Sequence, residues 1–365
     1  MCINSSVAYA GEKMDLSRLI KDAEQHRRPA ALPRLKVAVI GSGGAGCNSI
    51  DAMMGMGLEN AHLVAVNTDS PHLQSIKANE KLLIGKRVTK GRGAGGDPQV
   101  GEDSAVESEN EIKAIVEGND IVFLTGGLGG GTGTGSLPVI ADIAKQRGAM
   151  VIAIVSTPFK YEGENRSMKA ADGLQSLMAM ADSTIVLDNN RLIQLAPNLP
   201  VDRAFLLMDM VISRVIKGIT EAITTPTMMN IDFADFRNVM KLGGVSTVLY
   251  AESSDPERLV TEAVSNPFLD IDYSGARGAL INIIGGPKLN ISQISKISES
   301  ITKQLDRRAN ITIGAGVDSN LGSEIHLLAV LTGIRSKEMM IKQSQSAAPV
   351  KMANIDAGRI AEMVR

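Results

Sequence analysis

The sequence predicts an α/β protein built as a doubly wound parallel sheet, followed by one long helix and a smaller second α/β unit. Three observations carry this. Short apolar runs alternate with helical stretches from Lys36 to Leu187, one unbroken helical pattern spans Val201–Ile223, and a second alternation of strand and helix runs to Leu331. At 365 residues the chain also exceeds one typical core.

The elements follow in order. Lys36–Ile40 reads as a strand, Cys47–Met56 as a helix and His62–Asn67 as a strand. Ser104–Glu117 is a helix stopped by Gly118, and Ile121–Thr125 a strand. Thr134–Arg147 is a helix stopped by Gly148, then come strand Met150–Ser156, helix Asn165–Met180 and strand Ser183–Leu187. In Val201–Ile223, Phe205, Met208, Ile212, Val215 and Ile219 recur on one face, and the helix would be about 35 Å long. Beyond it, Asp232–Leu242, Pro256–Val264 and Ser292–Leu305 read as helices. Val245–Ala251, Ala279–Ile284, Ile311–Ala315 and Ile325–Leu331 read as strands. Residues 1–34 form an extension, with Asp15 capping a short helix through Leu16, Leu19 and Ile20 before Pro29 and Pro33. Residues 335–365 form a polar tail that ends in the weakly amphipathic Ile355–Val364, an adaptor-docking segment or a frayed terminal helix.

Composition narrows the function. Lysine plus arginine (38) nearly balances aspartate plus glutamate (40), so no global charge calls for nucleic acid or an anionic membrane. Aromatics are 3% with no Trp, which leaves no stacking platform for single strands. Cys2 and Cys47 make no disulfide framework, and the four histidines lack metal-ligand spacing. No apolar run reaches the roughly 18 residues of a membrane span, and the start lacks a signal peptide's apolar segment. The expectation is a cytoplasmic protein without direct membrane insertion.

Fifteen of the 36 glycines fall in Gly41–Gly46, Gly91–Gly96 and Gly126–Gly135. The first stretch follows a strand and opens a helix. There glycine lets backbone N–H groups approach a phosphate at a positive helix terminus. Alone it also satisfies G-x-G-x-x-G, with Asp69 ending the next strand. A nicotinamide-dependent oxidoreductase and a merely structural turn therefore stay open for it. The third stretch, Thr125 to Gly135, repeats the arrangement and adds the hydroxyls of Thr132 and Thr134 as donors. So many glycines cost conformational entropy that packing does not return. Two anion cradles fit a triphosphate better than one pyrophosphate, and the chain has no G-x-x-x-x-G-K-[ST]. Asn230-Ile-Asp232-Phe-Ala-Asp235 starts a helix. It is either an ordinary capped start or a pair of acids presented to a neighbouring subunit, because acids aimed at the chain's own phosphates would repel them.

Through these loops the sequence from Leu35 to Ile334 resembles the FtsZ family, the prokaryotic tubulin-like cell-division GTPases, and several loops are similar to archaeal forms. Gly129–Gly135 matches the tubulin-type signature and Asn230–Asp235 the family's synergy loop. Gly41–Asn48, Gly93–Pro98 and Pro158-Phe-x-x-Glu162-Gly-x-x-Arg166 match too. The resemblance implies a tubulin/FtsZ-like fold: a GTP-binding domain at 35–200, a spine helix and connection at 201–229, and a GTPase-activating domain at 230–334. It implies that Gly43, Gly44, Ala45, Asn48, Asp69, Gly93, Ala94, Gly95, Gly129, Gly130, Gly131, Thr132, Gly133 and Thr134 surround the phosphates of GTP or GDP. Glu162 and Arg166 then lie near the ribose and phosphates, while Asn189, Phe205 and Asp209 contact guanine. Asn230, Asp232 and Asp235 act on the next subunit's nucleotide. Mg²⁺ is bound mainly through the nucleotide, with no metal site of the chain's own. The chain itself is the partner, in a head-to-tail filament at the mid-cell division ring, and an adaptor protein is expected at the tail.

Three positions depart from the family pattern. Pro71 stands where Gln is usual, Leu187-Asp188-Asn189-Asn190 replaces Ile-Pro-Asn-Asp, and Asp97 replaces a common Asn. A nucleotide-dependent scaffold of the same fold with little hydrolysis is the alternative reading.

Overall fold

The computed structural model describes residues 35–195, 197–225, 228–243, 245–265 and 273–334, and the backbone of 8–9 and 12–13. The helix expected at Leu16–Ile20 and the tail 335–365 lie outside these residues. Met1–Pro33 groups apart from the rest of the chain, and within it β1 (Ala8–Tyr9) and β2 (Glu12–Lys13) pair antiparallel.

In the other unit, β3 (Val37–Ser42) runs into α1 (Gly43–Gly55), and β4 (His62–Asn67), α2 (Ser70–Ser75) and β5 (Glu80–Leu83) follow. Next come α3 (Pro98–Glu107), α4 (Glu109–Val116), β6 (Ile121–Gly127), α5 (Thr132–Gln146), β7 (Met150–Thr157), α6 (Glu164–Met180) and β8 (Ser183–Asp188). After α7 (Asn190–Leu195) and α8 (Val201–Thr224) come α9 (Phe233–Met240), β9 (Val245–Ser253) and α10 (Pro256–Val264). The described chain ends with β10 (Gly278–Gly285), α11 (Ile291–Thr302), β11 (Asn310–Val317) and β12 (Ile325–Ile334). Ten strands share one sheet in the order β11-β10-β12-β9-β8-β7-β6-β3-β4-β5. From β5 to β8 every pairing is parallel, whereas β12 runs antiparallel to both its neighbours. The two stretches join through Thr184–Val245 and Ile185–Ser246 alone.

The period of two along each strand sorts the core. In β7, Met150, Ile152 and Ile154 face α1 and α8, while Val151, Ala153 and Val155 enter the layer under α3 to α6. Beyond the junction, Val248, Leu280, Leu328 and Val330 continue the first layer beneath α8, and α10 and α11 cover the opposite side. The long helix therefore packs along both parts of the sheet. Met208, Ile212, Val215 and Ile219 are buried as the helical stripe predicts, each worth about 1.5–3 kcal/mol of transfer free energy. Phe205, expected on the same stripe, is 41% exposed; its ring instead meets Phe159 edge-on at 5.5 Å.

Several boundaries differ from expectation for local reasons. Helix α1 starts four residues before Cys47, because the glycines of the loop are its first turn, a tertiary override of their poor helix propensity. The single helix expected at Ser104–Glu117 is two, broken at Ser108, whose hydroxyl accepts from the Gly85 amide at 3.1 Å. Strand β5, with Glu80 and Lys81 on it, is a short charged sheet edge that an apolar pattern does not reveal. Gly118 and Gly148 do stop helices, with φ of +70° and +84°.

Helices α3 and α5 touch backbone to backbone: a Cβ on Gly135 would lie 1.9 Å from the Pro98 carbonyl oxygen. Gly135→Ala is expected to cost about 2–3 kcal/mol or more in urea unfolding, whereas Gly44→Ala, whose Cβ meets open space, costs nothing measurable. Equal stabilities of the two variants would refute this packing.

Candidate functional site

Helices α1 and α5 begin at the carboxyl ends of the adjacent parallel strands β3 and β6, so their N-termini lie side by side. Gly43 has φ +74°, and a Cβ there would lie 2.9 Å from the Gly133 nitrogen. Gly133 in turn would crowd the carbonyls of Gly127 and Ser42, and Gly46 that of Thr125. Only glycine allows this approach. Helices α2, α3, α9, α10 and α11 have a side chain accepting at the N-cap. The caps of α1 and α5, Ser42 and Gly131, supply none, and neither first turn holds an acid. The Ser42 hydroxyl is instead paired with Ser136 at 2.6 Å. Two helix termini thus keep their N–H groups and partial positive charge for an external anion.

The loop after β5 closes over them. A Cβ on Gly131 would meet Ala94 and the Asp97 backbone, and the Gly93 amide donates to the Thr68 carbonyl at 3.1 Å. Gly44 and Gly130 face open space, as do Gly95 and Gly96 at positive φ. The hydroxyls of Thr132 and Thr134, expected as ligand donors, are buried among the loop's own polar groups. Thr132 Oγ1 lies 2.7 Å from Thr68 Oγ1, and Thr134 Oγ1 accepts from the Gly129 amide at 2.9 Å. Ala45 and Asn48 are exposed on α1, with Asn48 Oδ1 3.1 Å from His72 Nε2.

The three departures are all helix-start or turn devices. Asp69 accepts from the His72 amide at 3.1 Å and caps α2, with Pro71 in its first turn. Asp97 caps α3 through the Gln99 amide at 3.0 Å, and Asp188 Oδ1 accepts from the Asn190 amide at 2.9 Å.

On the other flank, Glu162 accepts from the Phe159 amide at 2.8 Å and pairs with Arg166, also at 2.8 Å. A Cβ on Gly129 would strike the Arg166 backbone at 2.7 Å, which places that ion pair against the signature loop. Asn189 is buried with Oδ1 unpartnered. Asp209 is 8% exposed, and burial pushes its carboxyl up to about 7 against the opposing hydrogen bond from Ser49, 2.8 Å long. An orphaned buried amide oxygen and a desolvated carboxylate are what a base with N–H donors would satisfy. Ser49 escaped the sequence reading, although a serine on the apolar face of a helix, with Cys47, Ile50 and Met53, was a signal.

Asn230, Asp232 and Asp235 are exposed at the far end of α8. Asp232 caps α9 through the Ala234 amide at 2.9 Å, and Met229 exchanges backbone hydrogen bonds with Ala315 of β11. From Asp209 the helix continues for fifteen residues to Thr224, about 22 Å. Across the sheet, β11 stands six strand spacings from β6, about 29 Å. The chain does not bring its acids to its own glycine loops. Among the described residues no three His, Cys, Asp or Glu side chains converge as a metal site.

Residues 36–197 match the family model described as Tubulin/FtsZ family, GTPase domain, and residues 239–335 match FtsZ family, C-terminal domain. The chain is 47% identical over 307 residues to Cell division protein FtsZ 1 of Archaeoglobus fulgidus, covering 83% of each. To Cell division protein FtsZ 2 of Halobacterium salinarum it is 43% identical over 316 residues, 86% of this chain and 80% of the relative. The solved structure of an empty FtsZ dimer from M. jannaschii superposes with a TM-score of 0.78 at 37% identity, covering 93% of this chain and 98% of that one.

Asp209 makes a pH prediction that needs no ligand. Its folded pKa is raised, so its contribution to stability is complete below about 4 and is lost as pH rises through about 7. Between pH 5 and 8, urea unfolding of the ligand-free chain should lose about 2–3 kcal/mol relative to Asp209→Asn. A difference that stays flat with pH would contradict the burial of a carboxyl here.

Proposed function

This chain belongs to the FtsZ family of tubulin-like cell-division GTPases, and from that premise we propose that it hydrolyses GTP only at junctions between its own copies. One observation carries the reading: two uncapped glycine-built helix termini lie at one end of the molecule and the exposed acids some tens of ångströms away. In this reading residues 35–200 bind the nucleotide, 201–229 are the spine and its connection, and 230–334 activate hydrolysis. The amides of the Gly43–Gly44 and Gly129–Gly133 turns receive the phosphates, with Gly93–Gly95 closing over the γ-phosphate and Glu162 and Arg166 beside the ribose. Asn189 and Asp209 read the O6 and N1/N2 edge of guanine, and Phe205 stacks on it.

Phosphoryl transfer asks a protein mainly for positioning and charge neutralisation. Mg²⁺, held mainly by the nucleotide, would neutralise charge on the β- and γ-oxygens; the carboxylates of Asp97 and Asp69 each already accept an amide. Asp232 and Asp235 of one copy orient the water that attacks the γ-phosphate held by the next, with Asn230 beside them. Such a contact joins unlike faces and does not close, so it builds a filament. The name borne by the relatives, cell division protein, supports a place at the division site. The tail, outside the described residues, is the expected attachment point for an adaptor.

The split site is tested by mixing two dead proteins. Asp235→Ala keeps its nucleotide pocket and loses its acids; Thr132→Arg fills its pocket and keeps its acids. In a random mixed filament roughly one junction in four joins a sound pocket to sound acids, so about a quarter of the wild-type rate should return. Co-sedimentation of both proteins without any turnover would sink the proposal.

A further inference from the structure

The base site is wired to the phosphate loops through a residue to which no role has been given. Ser49 lies on α1, two turns beyond Gly43, and is fully buried. Its hydroxyl has one hydrogen and two acceptors in reach, Asp209 Oδ1 at 2.8 Å and the Ala45 carbonyl at 3.1 Å. Ser213, one turn along α8, donates to the Asp209 carbonyl at 2.6 Å and reaches the Ser49 carbonyl at 3.3 Å. A buried polar triangle thus ties the helix that begins at the phosphate cradle to the helix that carries the base-reading acid.

Among the described residues nothing else holds that acid in its charged form. The described ionisable side chains on the helices packed together there are Asp51 and Cys47 of α1 and Arg203, Arg214, Lys217 and Glu221 of α8, and none of them perturbs it; the thiol of Cys47, pushed up to about 12 by burial, is neutral. With the carboxylate ionised, the Ser49 hydrogen goes to Oδ1 and leaves the remaining lone pairs for a ligand. With it protonated, the acid's own O–H can donate to Ser49, whose hydrogen then turns to the Ala45 carbonyl. At the N1/N2 edge guanine offers a carboxylate two N–H donors, hypoxanthine one and adenine none.

We propose that Ser49 is the positioning residue of the base site, its hydroxyl keeping Asp209 ionised and aimed so that guanine is preferred over hypoxanthine. This rests on the reading that Asp209 contacts the base. The experiment is a titration of GDP and IDP into the full chain from pH 5.5 to 8.5, for the wild type and Ser49→Ala. Taking the ratio of the two proteins at each pH cancels the titration of the phosphates. Ser49→Ala should weaken GDP about tenfold at pH 7 and move the midpoint of the pH profile up by about one unit. The loss should shrink to about threefold or less at pH 8.5, and the preference for GDP over IDP at pH 7 should narrow. An unmoved midpoint, or the same loss at every pH, would overturn the role of Ser49. Asp209→Asn separates the two levels, because an amide can donate to the O2 of xanthine where a carboxylate cannot. A switch to XDP together with an unmoved Ser49→Ala midpoint removes only the Ser49 role. An unchanged preference for guanine over xanthine in Asp209→Asn removes the base reading and this inference with it.

Discussion

The contact on which the rest of the site depends is made by backbone alone, where the turn after β3 meets the turn after β6. Gly43 lies so close to the Gly133 amide, and Gly46 to the Thr125 carbonyl, that one methyl group at either place would part them. The contact sets two helix N-termini next to each other at the carboxyl edge of a parallel sheet. Because neither terminus is capped by its own side chains, their N–H groups and partial charges add at one place. Glycine costs conformational entropy at each such position. The buried layers above and below β3, β6 and β7 offset that cost and hold the turns where a flexible loop would not stay. The flanking pieces follow: the Asp97 loop rests on Gly131, and the Arg166 backbone on Gly129.

The long helix then acts as a ruler. Its first half carries Asp209, tied to α1 through Ser49; beyond its C-terminal end lies the Asn230–Asp235 turn, held to β11 by Met229. Its buried stripe packs along both parts of a continuous ten-stranded sheet, so the separation is fixed by the core rather than by a linker. Carboxylates exposed at one end and amides offered at the other are complementary between copies and out of reach within one. The proposed site, completed by assembly, rests on that separation.

Much of this was legible in the sequence because periodicity reports the core directly. Apart from β5, the strands of the first part and the spine helix fall within a residue or two of their expected places. Glycine was the main source of error. Read as a loop former, it hid the first turns of α1 and α5, where tertiary contact overrules propensity. The capped starts of α2 and α3 carried a readable signal in Asp69-Ser-Pro71 and Asp97-Pro98, but glycines around them drew attention to the phosphate instead. The residues proposed to contact the base were not legible from residue types. Asn189 and Phe205 pass for ordinary side chains in a sequence and are singled out only by family resemblance. In the structure they stand out as a buried amide whose oxygen has no partner and a half-exposed ring on a buried stripe.

A site shared between copies makes turnover a property of assembly, and the rate per molecule as a function of protein concentration tests that most directly. With GTP in excess, specific activity should be near zero in dilute solution and rise above a threshold at which sedimentable polymer first forms. Specific activity that stays constant across a hundredfold dilution, about two decades below any polymer, would mean that each chain carries a complete site and that Asp232 and Asp235 do not act across a junction.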